Sequence, residues 1–386
     1  MAHWILLCVV YLAFVSLGLP DSVFGVAWPT MRSGFERPLE AAGLVMLAVT
    51  ACSALSGFAS GAVLKRLGTG PVVLLSGFLT GLALLGFAFA PSFHWLLLFA
   101  LPLGLGAGAV DAGLNHFVAA HYSSRHMNWL HACWGVGATI GPLLMGAALV
   151  GAQGWRAGYQ TIASVQLLLA MVFLLTLALW RREHGTGPSA VAALADVSPQ
   201  RPVPAWAAWL APTLYLAYAT IEVGTGLWAA SILVEERRLA PQMAGFWVAC
   251  FFGAIMGGRF CLGLVSAWLG NRVLVRAGIG LAIVGAALFA VPGLPPALSL
   301  AGLVMLGLGA APIYPALMHE TTRRFSADLA RKAVGRQVAF SYIGGAVGPA
   351  ALGLLGAQWG LNLIMPGVLL ALFVLWLMVW RLDQVT

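Results

Sequence analysis

Charge is what this chain lacks most. Only 8% of its 386 residues are Asp, Glu, Lys or Arg, against roughly 25% in a soluble domain. With 61% of residues hydrophobic, that supply cannot clothe a water-facing surface, and lipid is the solvent that fits. Five cysteines, Cys8, Cys52, Cys133, Cys250 and Cys261, fall in apolar stretches without metal-ligand spacing and read as small buried hydrophobes. No Walker motif occurs, so ATP is not the expected driving force. The run GLGAGAV at 104–110 is no nucleotide fingerprint, because no strand–turn–helix surrounds it. His116 and His121 are five apart and splay on a helix, and HExxH spacing is absent. With no clustered nucleophile and base, an enzyme is not expected, nor is a cofactor or a metal.

What the chain has is long apolar runs. A spanning helix needs ~20 such residues, and twelve candidates follow, over 4–30, 39–63, 71–90, 95–121, 127–151, 157–180, 206–234, 242–268, 272–291, 296–319, 333–357 and 360–381. The first run is preceded by no Lys or Arg and exceeds the ~7–15 residues of a signal core, so it reads as a helix that stays. Residues 181–205, rich in Gly, Pro and Ser, form a linker between a bundle over 1–180 and another over 206–386. The expected class is an all-α membrane protein of two pseudo-symmetric six-helix bundles.

The net charge of +8 reflects orientation rather than a nucleic-acid partner. With the N-terminus inside, the inner side holds Lys65, Arg66, Arg125, Arg181, Arg182, Arg201, Arg272, Arg276, Arg323, Arg324, Arg331, Lys332, Arg336 and Arg381. The outer side holds Arg32, Arg37, Arg156, Arg237 and Arg238. That asymmetry puts both termini in the cytoplasm of a cell with an inner membrane.

The halves repeat. GAVLKRLG at 61–68 matches GLVSAWLG at 263–270, LGLGAGAV at 103–110 matches LGLGAAPI at 306–313, and GATIGPLLMG at 137–146 matches GGAVGPAALG at 344–353. The offsets are 202, 203 and 207 residues, in order along the chain. An even number of helices per repeat makes the repeats parallel, related by an axis along the membrane normal.

These features resemble the major facilitator superfamily over the whole chain. The loop after the second helix keeps the glycines and the basic pair Lys65 and Arg66 but lacks the acid usual between them. Four stretches resemble the fucose–proton symporter-like branch: LGLPDSVFGVAWP at 17–29, GAGAVDAGLNHFVA at 106–119, LHACWGVGATIGPLL at 130–144 and IEVGTGLWAASILVEE at 221–236. That resemblance implies proton-coupled uptake of a sugar or similar polar solute by alternating access, with Asp21 and Asp111 in the places of the branch's acids. The alternative is proton-driven efflux of an amphipathic compound. Its support is the resemblance of Gly137–Pro142 to part of an antiporter signature, although the pattern recurs at Gly344–Pro349 and also suits a hinge.

An ionisable group in the membrane costs ~2.5–3.5 kcal/mol, so each one is a functional candidate. Asp21 is expected in the outer half of helix one, Asp111 in the inner half of helix four, and Glu222 in mid-helix seven. Low dielectric disfavours the charged carboxylate, so such groups can load and release a proton. Arg259 is a gating candidate expected to pair with Asp111 or an inner carboxylate, and His131, Lys65 and Arg66 are gating candidates with it. For the substrate the candidates are Asn115, one turn from Asp111, the stacking rings Trp134 and Trp228, and Gln166, Gln337 and Tyr342. Asp21, Asn115, Trp134, Glu222 and Gln337 are expected to border a central cavity, and Trp4, Trp95, Trp155, Trp206, Trp209 and Trp380 to form interfacial belts. Expected partners are a small-molecule substrate, protons and membrane lipids, with the protein acting as a monomer.

Overall fold

The computed structural model describes residues 2–122, 124–180, 204 and 206–386. Apart from Pro204 and Trp206, which flanks it, the 181–205 linker lies outside them. Among the described residues twelve helical stretches are long and apolar enough to cross a membrane, and no strand occurs. In lipid only a helix satisfies all its backbone groups within one segment.

Two spans are broken by proline. The first, Trp4–Gly34, consists of α1 (Ala2–Asp21) and α2 (Val23–Gly34), separated by a turn at Ser22. Pro20 has no N–H for the ladder, which weakens the helix where Asp21 sits. The span runs four residues beyond the expected 4–30, and Arg32 in that extension has an acidic partner, described below. Asp21 consequently lies close to the midpoint of the span, two residues beyond it. The second broken span, Pro296–Thr321, divides at Pro312 into α12 (Pro296–Ala310) and α13 (Ile313–Arg324).

The described residues of Met1–Ala190 with Leu233–Ala249 form one compact unit, and those of Val191–Ile232 with Cys250–Thr386 form the other. The first contains α3 (Ala41–Leu67), α4 (Thr69–Ala88), α5 (Phe93–His121), α6 (Ser124–Ala148), α7 (Trp155–Leu175) and the short α8 (Leu177–Trp180). In it α6 packs along α1, α5 along α3, and α4 against α5 and α7. The second contains α9 (Ala207–Ser231), most of α10 (Pro241–Leu269), α11 (Asn271–Ala290), α12, α13, α14 (Ala327–Trp359) and α15 (Ile364–Val385). In it α14 packs along α9, and α11 against α12 and α15. Each principal pairing of the second unit thus has its counterpart in the first.

The repeated glycines explain those pairings. A Cβ on Gly137 of α6 would lie 2.1 Å from the Val15 carbonyl oxygen of α1, and one on its repeat mate Gly344 of α14 would lie 2.2 Å from the Leu216 carbonyl oxygen of α9. Helices meet there backbone to backbone, as small residues permit in membranes. The GATIGP pattern read as a signature or hinge therefore serves helix contact in both units.

The outer surfaces are apolar, as lipid-facing helices require. Cys8 and Cys261 are exposed, which corrects the expectation that every cysteine is buried: a small hydrophobe is equally at home facing acyl chains. Trp4, Trp95, Trp206, Trp209 and Trp380 are exposed, whereas Trp155 packs its ring against Phe35 at 5.5 Å and beneath the Arg156 guanidinium at 4.4 Å.

Candidate functional site

In the first unit the close approach of α1 and α6 brings Asp21 and Trp134 together. Trp134 Nε1 donates to Asp21 Oδ2 at 2.8 Å, and Ser22 Oγ donates to the Ala138 carbonyl at 2.7 Å. Asp21 is exposed although it lies at mid-span. A carboxylate at that depth avoids lipid and needs water or polar groups beside it. His131 lies one helical turn before Trp134 and meets Phe14 edge-on at 5.6 Å.

Asp111 and Asn115 are a helical i, i+4 pair on α5. Asn115 Nδ2 donates to Asp111 Oδ1 and to the Asp111 carbonyl, both at 2.9 Å. The two side chains are half-buried, so the amide orients the carboxylate.

In the second unit Glu222 of α9 faces Arg259 of α10, Nη2 to Oε1 at 3.4 Å. The same Nη2 donates to the Tyr218 hydroxyl at 3.1 Å. Sequence reasoning sought a partner for Arg259 at Asp111 or an inner carboxylate, and the structure places it with Glu222. Tyr218 was missed, although its position four residues before Glu222 puts both on one helix face. Its ring is joined by Tyr215 and Tyr314, whose centroids lie 4.9 Å apart, with Tyr215 donating to the Tyr314 carbonyl at 3.0 Å.

The remaining candidates are dispersed. Trp228 is fully enclosed at 0% exposure and donates its indole N–H to the Pro349 carbonyl at 2.9 Å, leaving no ring face open for stacking in this conformation. Gln166 is buried and donates to Thr80 Oγ1 at 2.9 Å, tying α7 to α4. Gln337 is buried and donates to Thr321 Oγ1 at 2.7 Å, tying α14 to α13. Tyr342 is half-buried on α14, while Lys65 and Arg66 are exposed in the last turn of α3.

A further contact within the first unit joins the two sequence repeats. Arg32, in the last turn of α2, pairs with Glu235 in the π-helical turn Ile232–Glu236 that follows α9, with Nε donating to Oε1 at 3.0 Å. Nearby, Gly245 of α10 approaches Gly146 and the Pro142 carbonyl of α6 so closely that a Cβ on it would lie 2.8 Å from that oxygen.

A family model described as the Major Facilitator Superfamily matches residues 10–349. The chain belongs to that superfamily and is a multi-pass membrane protein with twelve spans among its described residues. A bacterial homologue of the human lysosomal transporter Spinster, crystallised inward-facing and occupied, has the same fold, with a TM-score of 0.82, 16% identity, and coverage of 100% of this chain and 97% of that one. A point mutant of the nucleoside transporter NupG gives 0.77 at 12% identity, with 98% of each chain covered. Among curated relatives, monocarboxylate transporter 11 of Mus musculus is 27% identical over 308 residues, 77% of this chain and 63% of the relative. The methyl viologen resistance protein SmvA of Salmonella typhimurium is 30% identical over 156 residues, 38% of this chain and 31% of the relative. The chain thus spans less than two thirds of the length of either.

Proposed function

We propose that this transporter is secondary active, takes up a sugar or similar small polar solute by alternating access, and couples that movement to a proton carried on Asp21. The observation that carries the reading is Asp21 itself: a carboxylate at mid-span, exposed, and oriented by the indole N–H of another helix. Protonation would remove its charge and so change its free energy by different amounts in the outward- and inward-open states. Only such a difference can shift their balance. Asp111, fixed by Asn115, is the second acid of the relay, and Glu222 with Arg259 forms the polar centre of the other bundle. The resemblance of residues 17–29 and 106–119 to fucose–proton symporters supports a sugar as substrate. The positive-inside asymmetry supports an inner-membrane location with both termini cytoplasmic.

The test is uptake into proteoliposomes from a panel of sugars, nucleosides and monocarboxylates, with and without an imposed pH difference. Asp21→Asn is expected to abolish accumulation against a gradient while sparing exchange of labelled for unlabelled substrate. Undiminished accumulation by that variant would sink the assignment.

A second reading, efflux in exchange for protons, has one observation in its favour, the likeness to the methyl viologen resistance protein over 156 residues. Everted vesicles separate the two: acidifying their interior drives a dye or quaternary cation inward under the efflux reading and leaves it outside under the uptake reading.

A further inference from the structure

At the end of the second unit that the charge count assigns to the cytoplasm, the ends of α11, α13 and α15 gather around two carboxylates. Glu320 accepts from Asn271 Nδ2, Arg272 Nε and Arg323 Nη1, each at 3.2 Å, and lies 3.8 Å from Arg324 Nε. Asp383 pairs with Arg324, with Arg276 Nη2 at 2.7 Å, and with Arg272 Nε at 3.9 Å. Both carboxylates are almost wholly buried, with side-chain exposures of 4% and 2%. Four guanidiniums therefore share two carboxylates, an excess of two positive charges. Arg324, itself 2% exposed, has an Nη1 with no hydrogen-bond partner, so the acids do not exhaust the donors.

Beside this cluster opens a cavity of about 320 Å³ whose lining includes Gly270, Asn271, Arg272, Val273, Glu320 and Arg323. The transport reading uses none of them. Arg272 and Arg323 are the two lining cations and remain 41% and 62% exposed. The one acid on the wall is buried under its own donors.

We propose that this cavity binds a phosphate group, with the guanidiniums of Arg272 and Arg323 as its two cationic contacts. The planar fork of arginine matches phosphate oxygens in charge and geometry. The surplus positive charge suits an anionic phosphate, which carries one negative charge as a diester headgroup and up to two as a free phosphate. The site lies where the chain leaves the membrane on its basic side, so the group can belong to an anionic phospholipid headgroup or to a soluble phosphate.

The experiment measures binding to the full-length protein in neutral detergent, with phosphatidylglycerol, phosphatidylcholine and inorganic phosphate as separate probes. Arg323→Gln is the principal variant, because Arg323 is the more exposed contact and its loss still leaves Glu320 with Asn271, Arg272 and Arg324 and leaves the Asp383 pairs untouched. Arg272→Gln is the second. Each lost charge-assisted contact is expected to weaken binding about tenfold, and Arg323→Lys is expected to retain most of it. Phosphatidylglycerol binding that exceeds phosphatidylcholine binding and falls about tenfold in Arg323→Gln establishes the site with a lipid headgroup as ligand. Inorganic phosphate binding that falls likewise, with no preference between the lipids, establishes it with a soluble ligand. Arg381→Gln, at the same end of the unit but over the Trp206 ring, reports general attraction to basic surface. Equal loss in that variant, binding unchanged by both cavity variants, or no binding to the parent protein overturns the proposal.

Discussion

Trp134 and Asp21, 113 residues apart, are joined by a hydrogen bond of 2.8 Å from the indole N–H to the carboxylate. The bond exists because Gly18 and Gly137 let α1 and α6 touch backbone to backbone, and because Pro20 interrupts the helix next to the acid. A donor fixed on a second helix makes the orientation of the carboxylate depend on how α1 and α6 pack.

Removing that donor while keeping an aromatic ring isolates its role. Trp134→Phe is expected to slow gradient-driven uptake roughly tenfold, the effect of one hydrogen bond to a charged group at ~1.5 kcal/mol. The thermal midpoint in detergent should stay close to that of the parent. Unchanged uptake would show that Asp21 does not need this partner.

Glu222 and Arg259 form a pair with side chains only 12% and 16% exposed. Losing one member leaves a buried charge uncompensated, at a cost of about 3 kcal/mol, whereas losing both costs much less. Thermal unfolding of Glu222→Gln, Arg259→Gln and the double variant should therefore give a double variant more stable than the sum of the singles implies. Additivity would mean that the two groups do not interact.

Asp383 holds Arg324, which is 2% exposed, and Arg276, which is 51% exposed. Burial pushes the Arg324 guanidinium below its ordinary pKa, and Asp383 acts against that shift. Asp383→Asn is expected to cost about 3–5 kcal/mol, as for a broken buried pair, and Arg276→Gln less than about 1 kcal/mol, as for a surface pair. Comparing the two thermal midpoints checks the ranking.

Gly344→Ala places a Cβ 2.2 Å from a carbonyl oxygen across a helix interface, while Gly280→Ala on α11 meets nothing within 4 Å. The first should lower the thermal midpoint sharply. The second should leave it unchanged or raise it slightly, since alanine in a helix is favoured over glycine by roughly 0.5–1 kcal/mol. Equal effects would remove the helix-contact role of the repeated motif.

Arg32 and Glu235 are joined across the sequence repeats. If the pair closes this end of the unit during transport, Arg32→Glu and Glu235→Arg should each slow uptake, and the double reversal should restore it. Failure of the double to recover, with all three proteins folded, would leave the pair without a part in the cycle.

The sequence by itself determined the twelve spans, the two repeats and the direction of the charge asymmetry. Each rests on local chemistry: lipid demands long apolar helices, close helix contacts demand glycine at fixed positions, and charges stay where water is. It also marked Asp21, Asp111, Glu222 and Arg259, because an ionisable residue in an apolar run stands out. Which of these meet, and what encloses the others, only the tertiary structure decided. The long spanning helices α1, α3, α4 and α9 are apolar on nearly every side, so no amphipathic stripe reveals which way each is turned, and a modest rotation separates an open ring from an enclosed one. Trp134 and Trp228 were equal candidates in the sequence; packing holds the first against Asp21 and seals the second between helices. In the same way Arg259 found Glu222 and Tyr218, and Gln166 and Gln337 became ties between helices, because the partner of a buried polar group is whichever one the crossing helices bring within 3–4 Å.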